Sequence, residues 1–165
     1  MTITEELAKE IKLMNVEEKL QLVTPCGYCC LSCSAYVKGI CRDEAVIEQM
    51  RKRGELAGVS SEEVIGHCPG CRPAQGNPHG QGMCRTYECC VNNKGLNFCY
   101  ECEDFPCLKL APIAKDAEIR PHNTKIYNLL MLKKLGLDSY IIRSGALWSQ
   151  FARGRTPVDG DDVQM

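Results

Sequence analysis

"PCGYCCLSC", residues 25–33, places Cys26, Cys29, Cys30 and Cys33 within nine positions. Such density leaves three readings: a metal staple, an iron–sulfur cradle, or disulfides. The choice governs the fold, because the chain holds 13 cysteines in 165 residues and little else in it carries obvious chemistry. Hydrophobic residues reach 44% only when cysteine is counted; without it roughly 36% remain, below the usual range for a globular domain. Something other than apolar burial is therefore expected to help hold the chain together. The length suits one unit, and we expect a single cysteine-rich metal-binding domain over residues 1–155 with a disordered tail over 156–165, "TPVDGDDVQM".

Charge narrows the function classes. Lys and Arg total 20 against 21 Asp and Glu, so the basic excess that drives counterion release from nucleic acid is missing and no nucleic-acid partner is expected. The opening "MTITEELAKEIKLMNVEEKL" lacks the apolar run of a secretory signal, which makes the cytoplasm the expected location. "LLML" at 129–132 is too short to cross a bilayer, so no membrane is expected either. In a reducing compartment, clustered Cys-x2-Cys units read as metal or redox sites in preference to disulfides.

Helix patterns flank the cysteines. Leu7, Ile11 and Met14 share one face of an opening helix that Thr4 or Thr2 can cap, and Asn15 with Glu18 forms a capping pair for a second helix that Pro25 stops. Asp43 suits the cap of a helix bearing Val46, Ile47 and Met50, and Ser60 with Glu63 forms another capping box; "RKR" at 51–53 reads as a solvated face. From Ile126 to Leu135 a broad apolar face returns, closed by Gly136 as a left-handed cap, and Ser139 suits the start of a last helix bearing Tyr140, Ile141, Leu147, Trp148 and Phe151. Between these blocks, Gly66–Cys107 has few sizeable apolar side chains and eight cysteines, so metal ligation is expected to replace core burial there. "RPAQGNPHGQGM", between Cys71 and Cys84, reads as a mobile loop. The expected fold class is mainly α with irregular, metal-stapled, cysteine-rich loops.

Three Cys-x2-Cys units, Cys30/Cys33, Cys68/Cys71 and Cys99/Cys102, each bring two sulfurs of a tight turn toward one ion. In "CPGC", Pro69 sets the turn and Gly70 lets the backbone approach a sulfur. Cys68, Cys71, Cys84 and Cys89 have the spacing of a closed structural zinc site, which leaves Cys30/Cys33 to pair with Cys99/Cys102 at a second. Cys26, Cys30 and Cys33 also resemble the cluster loop of radical S-adenosylmethionine enzymes. Ser32 stands where that family has an aromatic residue, and the rest of the chain lacks strand–helix repeats.

"CGYCCLSCSAY" at 26–36, "CPGCR" at 68–72, "CRTYECC" at 84–90 and "FCYECEDFPCLKL" at 98–110 together resemble a family of small cysteine-rich bacterial and archaeal proteins, domain of unknown function number 3795. The resemblance implies metal binding, usually supposed to be zinc, with no established activity. Carried over by position, it implies Cys26, Cys30, Cys33, Cys68, Cys71, Cys84, Cys89, Cys99, Cys102 and Cys107 as metal ligands. Cys29, Cys41 and Cys90 depart from the pattern and read as nearby or inert thiols, with Cys29 and Cys90 able to exchange with neighbours. Arg72, Arg85 and Lys109 are placed to offset thiolate charge, and His67 reads as exposed or as a replacement ligand. His79 and His122 read as solvent-facing.

The expected function is therefore a zinc-binding structural or adaptor module, zinc finger-like, with two ions, all-cysteine sites and a protein partner of unknown identity. No His-Glu-x-x-His or similar catalytic pairing is present, so no catalytic residue is assigned. The alternative is an iron–sulfur or thiol redox protein, since four thiolates serve iron equally well. In "EDFPCLKL", Asp104 as a cap and Pro106 in the first turn would put Cys107 at a helix start, where the dipole favours thiolate and would make a Cys26/Cys107 pair reactive.

Overall fold

Thr4 starts α1 (Glu5–Leu13) by accepting the Leu7 N–H at 3.3 Å. Asn15 starts α2 (Val16–Gln21) with a full capping box: its side chain accepts the Glu18 N–H at 2.9 Å, and the Glu18 carboxylate accepts the Asn15 N–H at 2.8 Å. Both caps stand where the sequence puts them, because each satisfies N–H groups that a helix start leaves unpaired. The computed structural model describes residues 3–40, 44, 47–48, 51–52, 65–78, 80, 82–112 and 124–152, with side chains as far as residue 146. The expectations for Cys41, Asp43, Val46, Met50, Ser60 with Glu63, His79, His122 and the 156–165 tail lie outside the described residues, as do the side chains of Leu147, Trp148 and Phe151.

After α2 the chain turns inward. Leu22 through Tyr36 are buried apart from Tyr28 and Cys33, so the cysteine-rich opening stretch is itself part of the core. Val23 and Cys29 form an antiparallel bridge and Tyr36 pairs in parallel with Cys68; no longer strand exists among the described residues. The core joins Ile11 of α1, Val23, Cys26, Cys29, Leu31 and Tyr36 of this stretch, and Phe98 and Leu110 farther on. Leu129 and Leu132 of α3 (Lys125–Leu135) and Tyr140 and Ile141 of α4 (Leu137–Ala152) complete it.

Gly136 ends one helix and begins the next. At φ +77° its N–H bonds to the Leu132 carbonyl at 3.0 Å, and its own carbonyl accepts the Tyr140 N–H at 3.0 Å. Ser139, expected as the cap of α4, consequently lies inside the first turn, since a one-residue connection leaves no room for a cap that late. The fold found is mainly helical with irregular cysteine-rich loops.

Three polar ties bind these layers. Lys19, 8% exposed, reaches the Asp138 carboxylate at 2.9 Å and the Lys12 carbonyl at 3.3 Å, joining α1 and α2 to the start of α4. Ser144 donates to the Ile141 carbonyl at 2.9 Å; with that hydrogen used, Ser32 is the donor in the 2.9 Å Ser32–Ser144 bond. The Tyr140 hydroxyl donates to the Gly27 carbonyl. Gly27 itself has φ +86°, and a Cβ there would stand 2.9 Å from Leu129 Cγ and 3.1 Å from the Leu129 nitrogen. A side chain would therefore be strained and crowded at once, and Gly27→Ala is expected to cost about 2 kcal/mol. Urea denaturation checks it: an unchanged midpoint would show that the two elements are not in this contact.

Candidate thiol site

Two Cys-x2-Cys units are laid side by side by the backbone. The Cys33 N–H closes a 3₁₀ turn on the Cys30 carbonyl at 2.9 Å. The Gly66 N–H bonds to the Ser34 carbonyl at 2.9 Å, the Cys68 N–H to the Ala35 carbonyl at 2.7 Å, and the Val37 N–H to the Cys68 carbonyl at 2.9 Å. Gly70, at φ +97°, then points its N–H at Cys68 Sγ, 3.4 Å away. This is the close backbone approach that the sequence assigns to Gly70. The thiols are electrostatic neighbours: the charges of Cys29, Cys71 and Cys33 act on Cys30, and that of Cys33 acts on Cys68. Burial pushes the Cys30 and Cys68 thiols up, and pushes Cys71 up to about 12 with help from the charges of Cys26, Cys84 and Cys68. Cys26 and Cys29 are raised by burial too.

The stretch between Cys71 and Cys84 is tied by turns where described. Gly76 links its ends, its N–H on the Cys71 carbonyl at 2.8 Å and its carbonyl accepting the Cys84 N–H at 2.9 Å. A Cβ at Gly76 would lie 2.7 Å from the Tyr87 ring, so this turn packs closely against that tyrosine. The expected loop is found where the stretch is described, built from turns at its Gly and Asn residues.

A second group surrounds a cavity of about 30 Å³ lined by Cys89, Cys90, Cys99, Cys102 and Cys107, with Lys94 at its edge. A short helix (Arg85–Tyr87) runs into a π-helical stretch (Glu88–Asn93) that carries Cys89 and Cys90. Cys99 and Cys102 share a 3₁₀ turn closed by the Cys102 N–H on the Cys99 carbonyl at 3.2 Å, and the Cys99 N–H bonds to the Pro25 carbonyl at 2.9 Å. Lys94 Nζ lies 3.0 Å from Cys102 Sγ and 2.7 Å from an Asp104 oxygen. The Asp104 hydrogen bond, then that of Cys102, raises the Lys94 ammonium, and Lys94 lowers Asp104. Interaction between the two thiols lowers Cys90 and raises Cys99, and the Cys90 thiol donates to the Leu96 carbonyl at 3.6 Å.

These neighbourhoods differ from the expected grouping. Cys30/Cys33 sits with Cys68/Cys71, while Cys99/Cys102 shares its cavity with Cys89 and Cys107. Cys26 and Cys84 stand electrostatically near Cys71. Cys107 does not begin an α-helix: it precedes a three-residue 3₁₀ turn, Leu108–Leu110, and Asp104 is held by Lys94. With so short a turn the dipole argument for a reactive Cys26/Cys107 pair falls away, and Cys26 is buried beside Thr24, 3.2 Å from its hydroxyl. His67 is exposed. Among the described residues, no three or more His, Cys, Asp or Glu side chains are already arranged to hold one ion.

Arg72 meets the expectation of a cation near the thiols and does more. Its Nε donates to the Val23 carbonyl at 3.1 Å, an Nη donates to the Asn97 carbonyl, and the guanidinium lies 5.3 Å from the centre of the Phe98 ring. It is in electrostatic reach of Cys90 in one group and of Cys71 and Cys30 in the other. Lys94 escaped the sequence reading. Its partner Asp104 is ten positions away in the chain, outside any helix or turn spacing that would announce the pair.

Fold and thiols together define a small, mainly helical, cysteine-rich domain in which no described helix is long and apolar enough to cross a membrane. The chain belongs to the family described as protein of unknown function (DUF3795), whose model matches residues 22–112. That span begins at buried Leu22 and ends just past Leu110, so it covers both thiol groups and omits α1, α2, α3 and α4. No curated protein and no solved structure matches the chain.

Buried thiols give the chelated, reduced protein a definite pH response. In the unfolded chain a thiol ionises near 9.0, whereas in the core that α1, α3 and α4 cover, burial raises Cys26, Cys29 and Cys30 above that value. Their contribution is complete below the unfolded value and is lost as pH rises above it. Urea midpoints measured at about pH 8 and about pH 10.5 should therefore fall with rising pH. A midpoint that holds or rises would contradict this.

Proposed function

We propose that this chain is a zinc-binding structural or adaptor module whose thiolate sites form part of the fold. Cys30, Cys33, Cys68 and Cys71 would hold one ion; Cys89, Cys99, Cys102 and Cys107 would hold another. The observation that carries the reading is the backbone pairing of residues 34–37 with 66–68, which sets two Cys-x2-Cys units beside each other with the Gly70 N–H on a sulfur. The donor set fits a thiophilic ion: sulfur ligands dominate, a backbone N–H supports one thiolate, and Arg72 and Lys94 offset charge. Zinc, when bound by four thiolates, supplies a cross-link without an open position for substrate. A structural role follows from that chemistry.

Metal analysis of the protein purified without oxygen tests the reading. A colourless sample with about two zinc ions per chain is expected. Cys30→Ser and Cys68→Ser should each lose one ion, and the double variant should lose no more than either, because both sulfurs serve the same site. A brown sample with acid-labile sulfide would replace this reading with the iron–sulfur one. Additive loss in the double variant would overturn the site assignment.

A further inference from the structure

Arg72 directly follows Cys71, and its side chain reaches toward the other thiol group. The Gly76 N–H on the Cys71 carbonyl at 2.8 Å and the Gln75 N–H on the Arg72 carbonyl at 3.0 Å fix the backbone from which that side chain starts. Two of its nitrogens then grip two chain segments at once, Nε the Val23 carbonyl at 3.1 Å and an Nη the Asn97 carbonyl, with the guanidinium 5.3 Å from the centre of the Phe98 ring. Val23 is fully buried and Phe98 is 4% exposed, so this clamp closes on the core. From Asn97 the connection runs on: the Asn97 and Phe98 N–H groups both donate to the Glu101 carboxylate, at 2.9 and 3.2 Å. Glu101 belongs to the 3₁₀ turn Cys99–Glu101, after which the Cys102 N–H bonds to the Cys99 carbonyl at 3.2 Å. A continuous set of hydrogen bonds thus leads from the turn at Cys71 to the Cys99/Cys102 pair.

We propose that Arg72 couples the two thiol groups, so that zinc held by Cys30, Cys33, Cys68 and Cys71 strengthens zinc binding at the Cys99/Cys102 group, and the reverse. This deepens the zinc reading above and rests on it. An ion at the first group orders the turn that carries Arg72, and the ordered guanidinium holds Asn97 and Phe98 in place. The second ion then meets a Cys99/Cys102 turn that is already ordered, and binds more tightly for it. Reciprocity is required: whatever the first ion adds to the affinity for the second, the second adds to the affinity for the first. Charge alone does not build this link. A lysine ammonium brings the same charge as a single point donor, whereas the planar guanidinium serves two carbonyls in fixed directions while lying over a ring. Arg72 is therefore a positioning residue, and its geometry is what the coupling needs.

The test titrates the reduced, metal-free full chain with zinc against a competing chromogenic chelator, in the wild type, Cys68→Ser, Arg72→Lys and the double variant. Removing the first site by Cys68→Ser should weaken the zinc that remains by at least about fivefold. In the Arg72→Lys background, which keeps the charge and loses the fork, the same Cys68→Ser change should alter the remaining site by less than about twofold. A fivefold effect that persists beside Arg72→Lys overturns the proposal, and so does a remaining site that Cys68→Ser leaves unchanged in the wild-type background. Should a variant not fold, native mass spectrometry of the wild type at one zinc per chain decides. The one-ion species should stay below the roughly half expected of two equal, independent sites, and half or more overturns the coupling. A wild-type chain that takes up fewer than two zinc ions refutes the zinc reading and the coupling with it, whereas two ions bound independently refute the coupling alone.

Discussion

The short backbone pairing between residues 34–37 and 66–68 is the interaction on which the cysteine-rich half depends. It carries the second Cys-x2-Cys unit onto the first, and with it Arg72, whose side chain then reaches Val23, Asn97 and the Phe98 ring. Phe98 in turn fixes the start of the third unit, where the Cys99 N–H meets the Pro25 carbonyl. One pairing thus organises segments separated by more than sixty positions. The apolar side chains in this region are too few to do so alone: Tyr87, Phe98 and Leu110 are its buried large residues between Gly66 and Pro112.

The helical frame solves a different problem. A stretch as rich in small and sulfur-bearing residues as 22–36 has little to pack with, and α1, α3 and α4 enclose it by presenting Ile11, Leu129, Tyr140 and Ile141. Contact is close enough that Gly27 admits no side chain against Leu129. Ser32 and the Gly27 carbonyl, buried away from water, find partners on α4, which meets the requirement that buried polar groups be hydrogen-bonded. In this chain, helices outside the family-matched span thus cover part of its core.

Local features were legible in the sequence, and long-range ones were not. Thr4, Asn15 with Glu18, Gly70 and Gly136 all act where their neighbours in the chain imply, because caps and turns depend on a few adjacent residues. The four cysteine blocks pointed to the family for the same reason. Which block faces which is set by the pairing of residues 34–37 with 66–68 and by Arg72, neither of which has a periodic signature. Cys107 misled because its cap-like context, Asp104 and Pro106, precedes only a three-residue turn, with Asp104 taken by Lys94. Cys90 was read as an off-pattern thiol, and its place on the cavity wall depends on a π-helical stretch that residue spacing does not reveal.

We propose that bound metal is part of the fold of the cysteine-rich segment and not an accessory to it. Hydrogen exchange read by mass spectrometry, with and without a strong chelator under reducing conditions, addresses it directly. Chelation is expected to strip protection from residues 66–107 while α3 and α4 keep theirs, since those helices have buried Leu129, Leu132, Tyr140 and Ile141 to hold them. Equal protection of residues 66–107 in both samples would contradict it.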